Sequence, residues 1–180
     1  MRADVELCGV PRDRDDVADL VLRPPDQLGF VTDDLERTAE SLGRLWNVDR
    51  WFVHEYNQRL LGFATYRGEP GTFSSRNAVA TPDASVGIVE PVSGPSVHLD
   101  VLERRGAGLA YATWRVDDLA GIATHMTACG VDEAMRGGGH GLDGDGEFVY
   151  YDTFDLLGFY SQYAVAPRRR RPPVDVLNHG

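Results

Sequence analysis

The 180-residue sequence contains no lysine; all 18 of its Lys+Arg positions are arginine. That excludes chemistry resting on a side-chain amine, including a Schiff-base lysine and a phosphate-binding P-loop. Cysteine is almost absent. Cys8 and Cys129 have no CxxC partner, so neither a zinc knuckle nor a disulfide framework follows. Base is scarce beside acid: 28 Asp and Glu against 18 Arg, a net charge of −10. A nucleic-acid partner is therefore not expected, because phosphate binding needs a basic face. No apolar run approaches the roughly 20 residues of a membrane span. The opening MRADVELCGVPRDRDDV has no apolar signal core. A cytoplasmic protein without a membrane partner is the expectation.

Hydrophobic residues make up 42% of the chain, ordinary for a globular protein of one domain. Residues 1–25 read as an irregular leader. Gln27 to Thr32 is a strand-like run, and Asp33-Asp34 reads as a helix cap, since an Asp side chain accepts the free N–H groups of a first turn. Leu35, Ala39 and Leu42 follow at helical spacing, with an end near Gly43 to Asn47. Trp51 to Tyr56 reads as a strand, Gly68 to Ser75 as a loose stretch, and Asn77–Thr81 with Ser85–Glu90 as strands joined by a Thr81-Pro82-Asp83-Ala84 turn. Gly108 to Arg115 is again a strand. Asp117-Asp118 again precedes an apolar helical face, of Leu119, Ile122, Ala123 and Met126, with Gly130 as its C-terminal stop. A Gly-rich loop from Gly137 to Gly146 leads to strands at Glu147–Asp152 and Phe159–Ala164. Both halves run from one polar residue through a strand into Asp-Asp-Leu, at a spacing of 84 residues from Gln27 to Tyr111. The organisation is a β-α-β-β-β unit used twice: residues 26–95, then 96–164, with an Arg/Pro-rich tail at 165–180. The Arg168–Arg171 run in that tail reads as solvated, or as a crystal or oligomer contact.

These stretches carry a family resemblance. QLGFVTDDLERTAE and VGIVEP in the first unit, with SVHLDVLERRGAGLAYATWRVDDLAGIATHMTACG and FVYYDTFDLLGFYSQY in the second, resemble the vicinal oxygen chelate superfamily. That group includes glyoxalase I, methylmalonyl-CoA epimerase, extradiol dioxygenases and bleomycin-resistance proteins; the epimerase branch is the nearest in wording. The resemblance covers about residues 26–164 and is most specific from Ser96 to Leu119. It implies an α+β fold in which two β-α-β-β-β modules form a cup-shaped, curved mixed sheet. It also implies one divalent metal on four inward side chains, acting as a Lewis acid on adjacent oxygens.

Carried over position by position, those four ligands fall on Gln27, Gly87, Tyr111 and Gln162. A carboxamide is a weak ligand, a phenol must first lose a proton of pKa about 10, and glycine has no donor. No metal and no cofactor are therefore expected. Gln27, Tyr111 and Gln162 remain able to orient a substrate oxygen by hydrogen bonds.

Proton transfer needs a further group. His54 shares a strand face with Phe52 and Tyr56, and imidazole titrates near working pH. Tyr111 and Asp152 complete the candidate catalytic set. Gln27, Gln162, Trp51, Tyr151, Tyr160 and His140 are candidate substrate contacts, with His140 in a Gly-rich loop that reads as a lid. His98 and His125 read as helix-surface residues and His179 as tail. Asp143-Gly144-Asp145-Gly146-Glu147 lacks EF-hand spacing and reads as a β-turn. The function expected is a metal-independent isomerase, epimerase, cyclase or lyase acting on an oxygen-rich small molecule by enolate-type proton transfer. The alternative is a resistance-type protein that sequesters a small molecule. A lesser one is a metal enzyme with displaced ligands such as His54, Glu55 and Glu90. A homodimer is the expected assembly, if any.

Overall fold

The computed structural model describes residues 23–81 and 84–178. The leader up to residue 22 with Cys8, the Pro82–Asp83 pair of the expected turn, and His179 lie outside them.

Eleven strands form one sheet: β1 (Gln27–Val31), β2 (Arg50–Tyr56), β3 (Phe63–Tyr66), β4 (Glu69–Pro70), β5 (Ser74–Val79), β6 (Val86–Ser93), β7 (Gly108–Arg115), β8 (Glu133–His140), β9 (Gly146–Tyr151), β10 (Tyr160–Val165) and β11 (Asp175–Asn178). Among the described residues there are four helices: α1 (Leu35–Trp46), α2 (Val97–Arg105), α3 (Ala120–Ala128) and α4 (Phe154–Leu157). The strand order is β11-β2-β5-β6-β1-β7-β10-β9-β8-β3-β4. The N-terminal half supplies β2-β5-β6-β1 and the C-terminal half β7-β10-β9-β8, each with a parallel pair at the end where the halves meet, β1 with β6 and β7 with β10. The halves join where β1 runs antiparallel to β7, pairing Gln27 with Thr113 and Gly29 with Tyr111. The result is a strongly curled, open α+β sheet, the cup expected from the sequence.

The helices follow from local signals. Asp34 caps α1 by accepting the Arg37 N–H at 3.0 Å, and Asn47 ends it in the left-handed region at φ 55°. Asp118 accepts the Ala120 N–H at 3.0 Å at the start of α3. Both helices cover the outer face. Leu35 and Ala39 pack on Trp51, Val53, Ala78 and Ile88, and Leu119, Ile122 and Met126 pack on Val149 and Tyr151. Helix α2 lies on the inner side instead. Its Val97 and Val101 join Val31, Val89, Tyr111 and Tyr150 in one core, filling one end of the cup.

Three elements depart from the expectation. The Gly137–Gly139 run is not a loop but the body of β8, paired with both β9 and β3. Glycine is needed there because a Cβ on Gly137 would lie 2.5 Å from the Phe148 ring and one on Gly138 2.6 Å from Phe63. The β3–β4 hairpin, between the second and third strands of the first unit, crosses to the far edge and pairs with β8. The tail is structured: Val174 donates to the Val53 carbonyl at 2.8 Å and β11 adds an antiparallel strand to β2.

Candidate functional site

Alternation along each strand decides which side chains enter the cup. The inner positions line a cavity of about 190 Å³. Gln27 and Gly87, Tyr111 and Gln162 all face it. The four positions onto which the resemblance carries the superfamily's metal ligands are thus brought together, from β1, β6, β7 and β10.

Their chemistry does not fit a metal ion. Gln27 donates through Nε2 to the Ala84 carbonyl at 2.9 Å, and its carboxamide lies against Gly87, 3.3 Å from where a Cβ would be. The Gln162 Oε1 accepts from the Thr113 hydroxyl. Burial pushes the Tyr111 phenol well above its ordinary pKa, with hydrogen bonding from Tyr150 pulling back, so Tyr111 stays protonated. A buried neutral phenol, two carboxamides and a glycine give a divalent ion no anionic or imidazole donor. The displaced set is not assembled either: Glu90 is held by Arg76 at 3.0 Å and accepts from the Leu35 N–H at 3.4 Å, while Glu55 is exposed. No group of three His, Cys, Asp or Glu able to hold a metal occurs among the described residues.

What the cup holds instead is imidazole, phenol and amide. His54 lies on the inner face of β2, held below its ordinary pKa by burial and by the positive charge of Arg170. His140 stands at the end of β8 with its ring over Gly146, where a Cβ would come within 2.5 Å, and against Tyr56 at 5.7 Å between ring centres. Burial keeps its pKa low as well. It is a cavity wall, not a lid, because β8 is paired on both sides.

His98, expected on a helix surface, is buried in the cup. Its Nε2 is 3.0 Å from the Tyr150 hydroxyl, its ring packs edge-on against Tyr111 and Tyr150, and burial lowers its pKa to about 4. Tyr150, buried and held far above its ordinary pKa by desolvation, links His98, Tyr111 and Gln162 into one polar chain. Sequence reasoning missed His98 because α2 packs on the inner side of the sheet, which no local pattern declares. Thr113, Arg115, Arg170 and Arg171 also line the cavity. Thr113 had a sequence signal, two residues beyond Tyr111 on the same face. The two tail arginines had none.

Four expected site residues lie elsewhere. Trp51, 1% exposed, faces α1 on the outer side. Tyr151 packs against Ile122 and Met126 under α3 for the same reason, one residue out of phase with Tyr150. Asp152 does not reach the cup; its carboxylate accepts from Arg67 at 2.8 Å. Tyr160 is buried in the core that α2 covers, beside Tyr111 and Tyr150, rather than lining the cavity, and its hydroxyl joins that same network, 3.3 Å from Arg67 and 3.4 Å from Asp100. The network pins the β3–β4 hairpin to α2, with Tyr66 donating to Asp100 at 2.7 Å.

A profile of the glyoxalase/bleomycin resistance protein/dioxygenase superfamily matches residues 26–151. The chain belongs to that superfamily, the vicinal oxygen chelate group. Its fold is shared with solved methylmalonyl-CoA epimerases. The enzyme from Mycobacterium tuberculosis aligns at TM-score 0.52 and 18% identity over 81% of this chain and 89% of that one. A Streptomyces coelicolor methylmalonyl-CoA epimerase variant bound to 2-nitronate-propionyl-CoA aligns at TM-score 0.53 and 16% identity, over 83% and 98%. A methylmalonyl-CoA epimerase bound to methylmalonyl-CoA and ammonium aligns at 0.51 and 16%, over 83% and 98%. A search of curated protein sequences finds no significant match. No helix among the described residues is long and apolar enough to cross a membrane.

Proposed function

We propose that this protein is an enzyme of the vicinal oxygen chelate fold that works without the superfamily's divalent metal, moving a proton on a small, oxygen-rich molecule through an enolate-type intermediate. The observation that carries the reading is the composition of one cavity: hydrogen-bonding side chains stand at three of the four positions that the resemblance assigns to metal ligands, and His54 and His140 face the same space.

The division of labour follows from protonation. His54, held below the usual imidazole range, is neutral at neutral pH and accepts the substrate's α-proton. Tyr111, kept protonated by burial, donates to the oxygen on which charge develops; that bond strengthens as the charge grows. Gln27 and Gln162 orient the same end of the substrate. The proton returns from His54 to a neighbouring atom for isomerisation, or, once the enolate has turned its opposite face to His54, to that face of the carbon for epimerisation.

The test is deuterium incorporation, followed by NMR in D₂O, into a panel of 2-substituted carboxylic acids and 1,3-dicarbonyl compounds. Exchange persisting in excess chelator, and falling on the order of 10²- to 10⁴-fold in His54→Ala, supports the proposal. The rate stays level down to an ordinary imidazole value of about 6.5 and declines below it, because a base with a lowered pKa is protonated only at more acid pH. Exchange abolished by the chelator overturns metal independence. Tight binding with no exchange in any compound establishes sequestration, the second reading, which the tail lying along the rim of the cup favours because it retains a ligand whatever the chemistry.

A further inference from the structure

The segment after β10 touches both sides of the cup. Arg168 Nε donates to Asp145 at 2.6 Å, Arg169 Nε to Asp143 at 2.8 Å, and the Arg169 carbonyl accepts the Leu142 N–H at 2.8 Å. This clasp fixes the strap to the turn between β8 and β9. The approach is close: a Cβ on Gly141, at φ +88°, would lie 2.4 Å from Pro167 Cβ. Four residues beyond Arg170, the chain is anchored again on β2. Arg168 and Arg169 thus hold carboxylates of the rim, and the next two residues, Arg170 and Arg171, line the cavity together with Arg115. Glu55 is the one carboxylate residue among the described residues that line it. A protein of net charge −10 therefore gathers three arginines around its cavity.

We propose that Arg170 and Arg171 of the strap, with Arg115, form the recognition site for an anionic head group, a carboxylate or a phosphate, on the ligand of the cup. The ligand then spans the cavity with its charge at the mouth and its reactive oxygen at Tyr111 and Gln27. Guanidinium groups suit this task because they present paired donors to two oxygens of a carboxylate or phosphate. The position of Arg170 is felt inside: its charge adds to the burial that lowers the pKa of His54 and His140, and works against the burial that raises that of Tyr56. Only the placement of the reactive end rests on the proton-transfer reading; the anion site stands on the strap.

The experiment titrates the full-length protein with malonate, inorganic phosphate and the neutral analogue malonamide, following the His54 and His140 imidazole signals by NMR. Malonate or phosphate is expected to bind saturably and to raise both imidazole pKa values by offsetting the Arg170 charge, while malonamide does not bind; the tighter anion identifies the head group. Arg170→Gln/Arg171→Gln is expected to weaken binding on the order of tenfold or more, and Arg170→Lys/Arg171→Lys by less. Malonamide binding as well as malonate, neither anion binding, or unchanged anion affinity in the Gln variant overturns the proposal. Should the Gln variant not fold, Asp143→Asn/Asp145→Asn releases the clasp with both cavity arginines retained; unchanged anion affinity there overturns the strap's role. The deuterium experiment fails separately: anion binding without exchange leaves this site standing and removes the catalytic reading, whereas exchange on neutral compounds indifferent to Arg170 and Arg171 does the reverse.

Discussion

The two halves of the sheet repeat one strand order yet use side-chain volume in opposite ways at the floor of the cup. In the C-terminal half the β7–β10 pair presents Tyr111, Thr113 and Gln162, with Thr113 beside Gln162. The corresponding β1–β6 pair presents Gln27, Gly29 and Gly87, with Gly29 beside Gly87. The glycines are not idle. The Tyr111 ring occupies the place of a Gly29 side chain, 2.0 Å from a Cβ built there, and the Gln27 carboxamide leans into the space at Gly87. One half supplies bulk and hydroxyl groups, the other the room to hold them.

The largest effect is expected from His98, on the crowded side. It is buried neutral with a pKa of about 4, whereas the unfolded chain takes up that proton near 6.5. Between those values the unfolded state binds more protons, so stability rises with pH; it is complete above 6.5 and lost as pH falls toward 4. The loss is about 3 kcal/mol from this residue. Urea unfolding across that range should show the slope in the wild type and a shallower one in His98→Gln, the remainder belonging to His54 and His140. An equal slope in both would place the burden elsewhere.

Next in size is Gly29→Ala, which drives a methyl into the Tyr111 ring. A cost of roughly 1–3 kcal/mol is expected in thermal or urea unfolding. Tyr111→Phe should leave that cost unrelieved, because the ring remains. Tyr111→Ala should make Gly29→Ala nearly neutral, a coupling that a double-mutant cycle measures directly. Simple additivity of the two would contradict the account. The smallest effect belongs to Gly87→Ala: its methyl meets only the end of the Gln27 side chain, at 3.3 Å, which a rotamer adjustment accommodates. A loss of less than about 1 kcal/mol is expected; a cost matching that of Gly29→Ala would mean that the Gln27 amide is as rigidly held as the tyrosine.

Much of this was legible beforehand. The repeated strand-to-Asp-Asp-Leu pattern places β1 with α1 and β7 with α3, and the family resemblance singles out Gln27, Gly87, Tyr111 and Gln162, which line the cup. Alternation separates Tyr150 from Tyr151, and His54 from Trp51, without saying which faces inward. A strand pattern is symmetric about its own plane, and Trp51 and Tyr151 are as suited to lie under a helix as to line a cavity. The glycines of β8 mislead for a related reason. They permit a loop, but here they make room for aromatic rings packed across a strand.

Sequence alone determined the superfamily, the duplicated unit, and which residue types stand at Gln27, Gly87, Tyr111 and Gln162, because all three rest on local order and residue chemistry. Tertiary structure decided which faces became the interior, that α2 carries His98 into the cup, and that the Arg-rich tail lies along its rim. Those outcomes depend on contacts between residues far apart in the chain, such as Arg168 with Asp145 and β11 with β2, and no pattern within either segment encodes its partner.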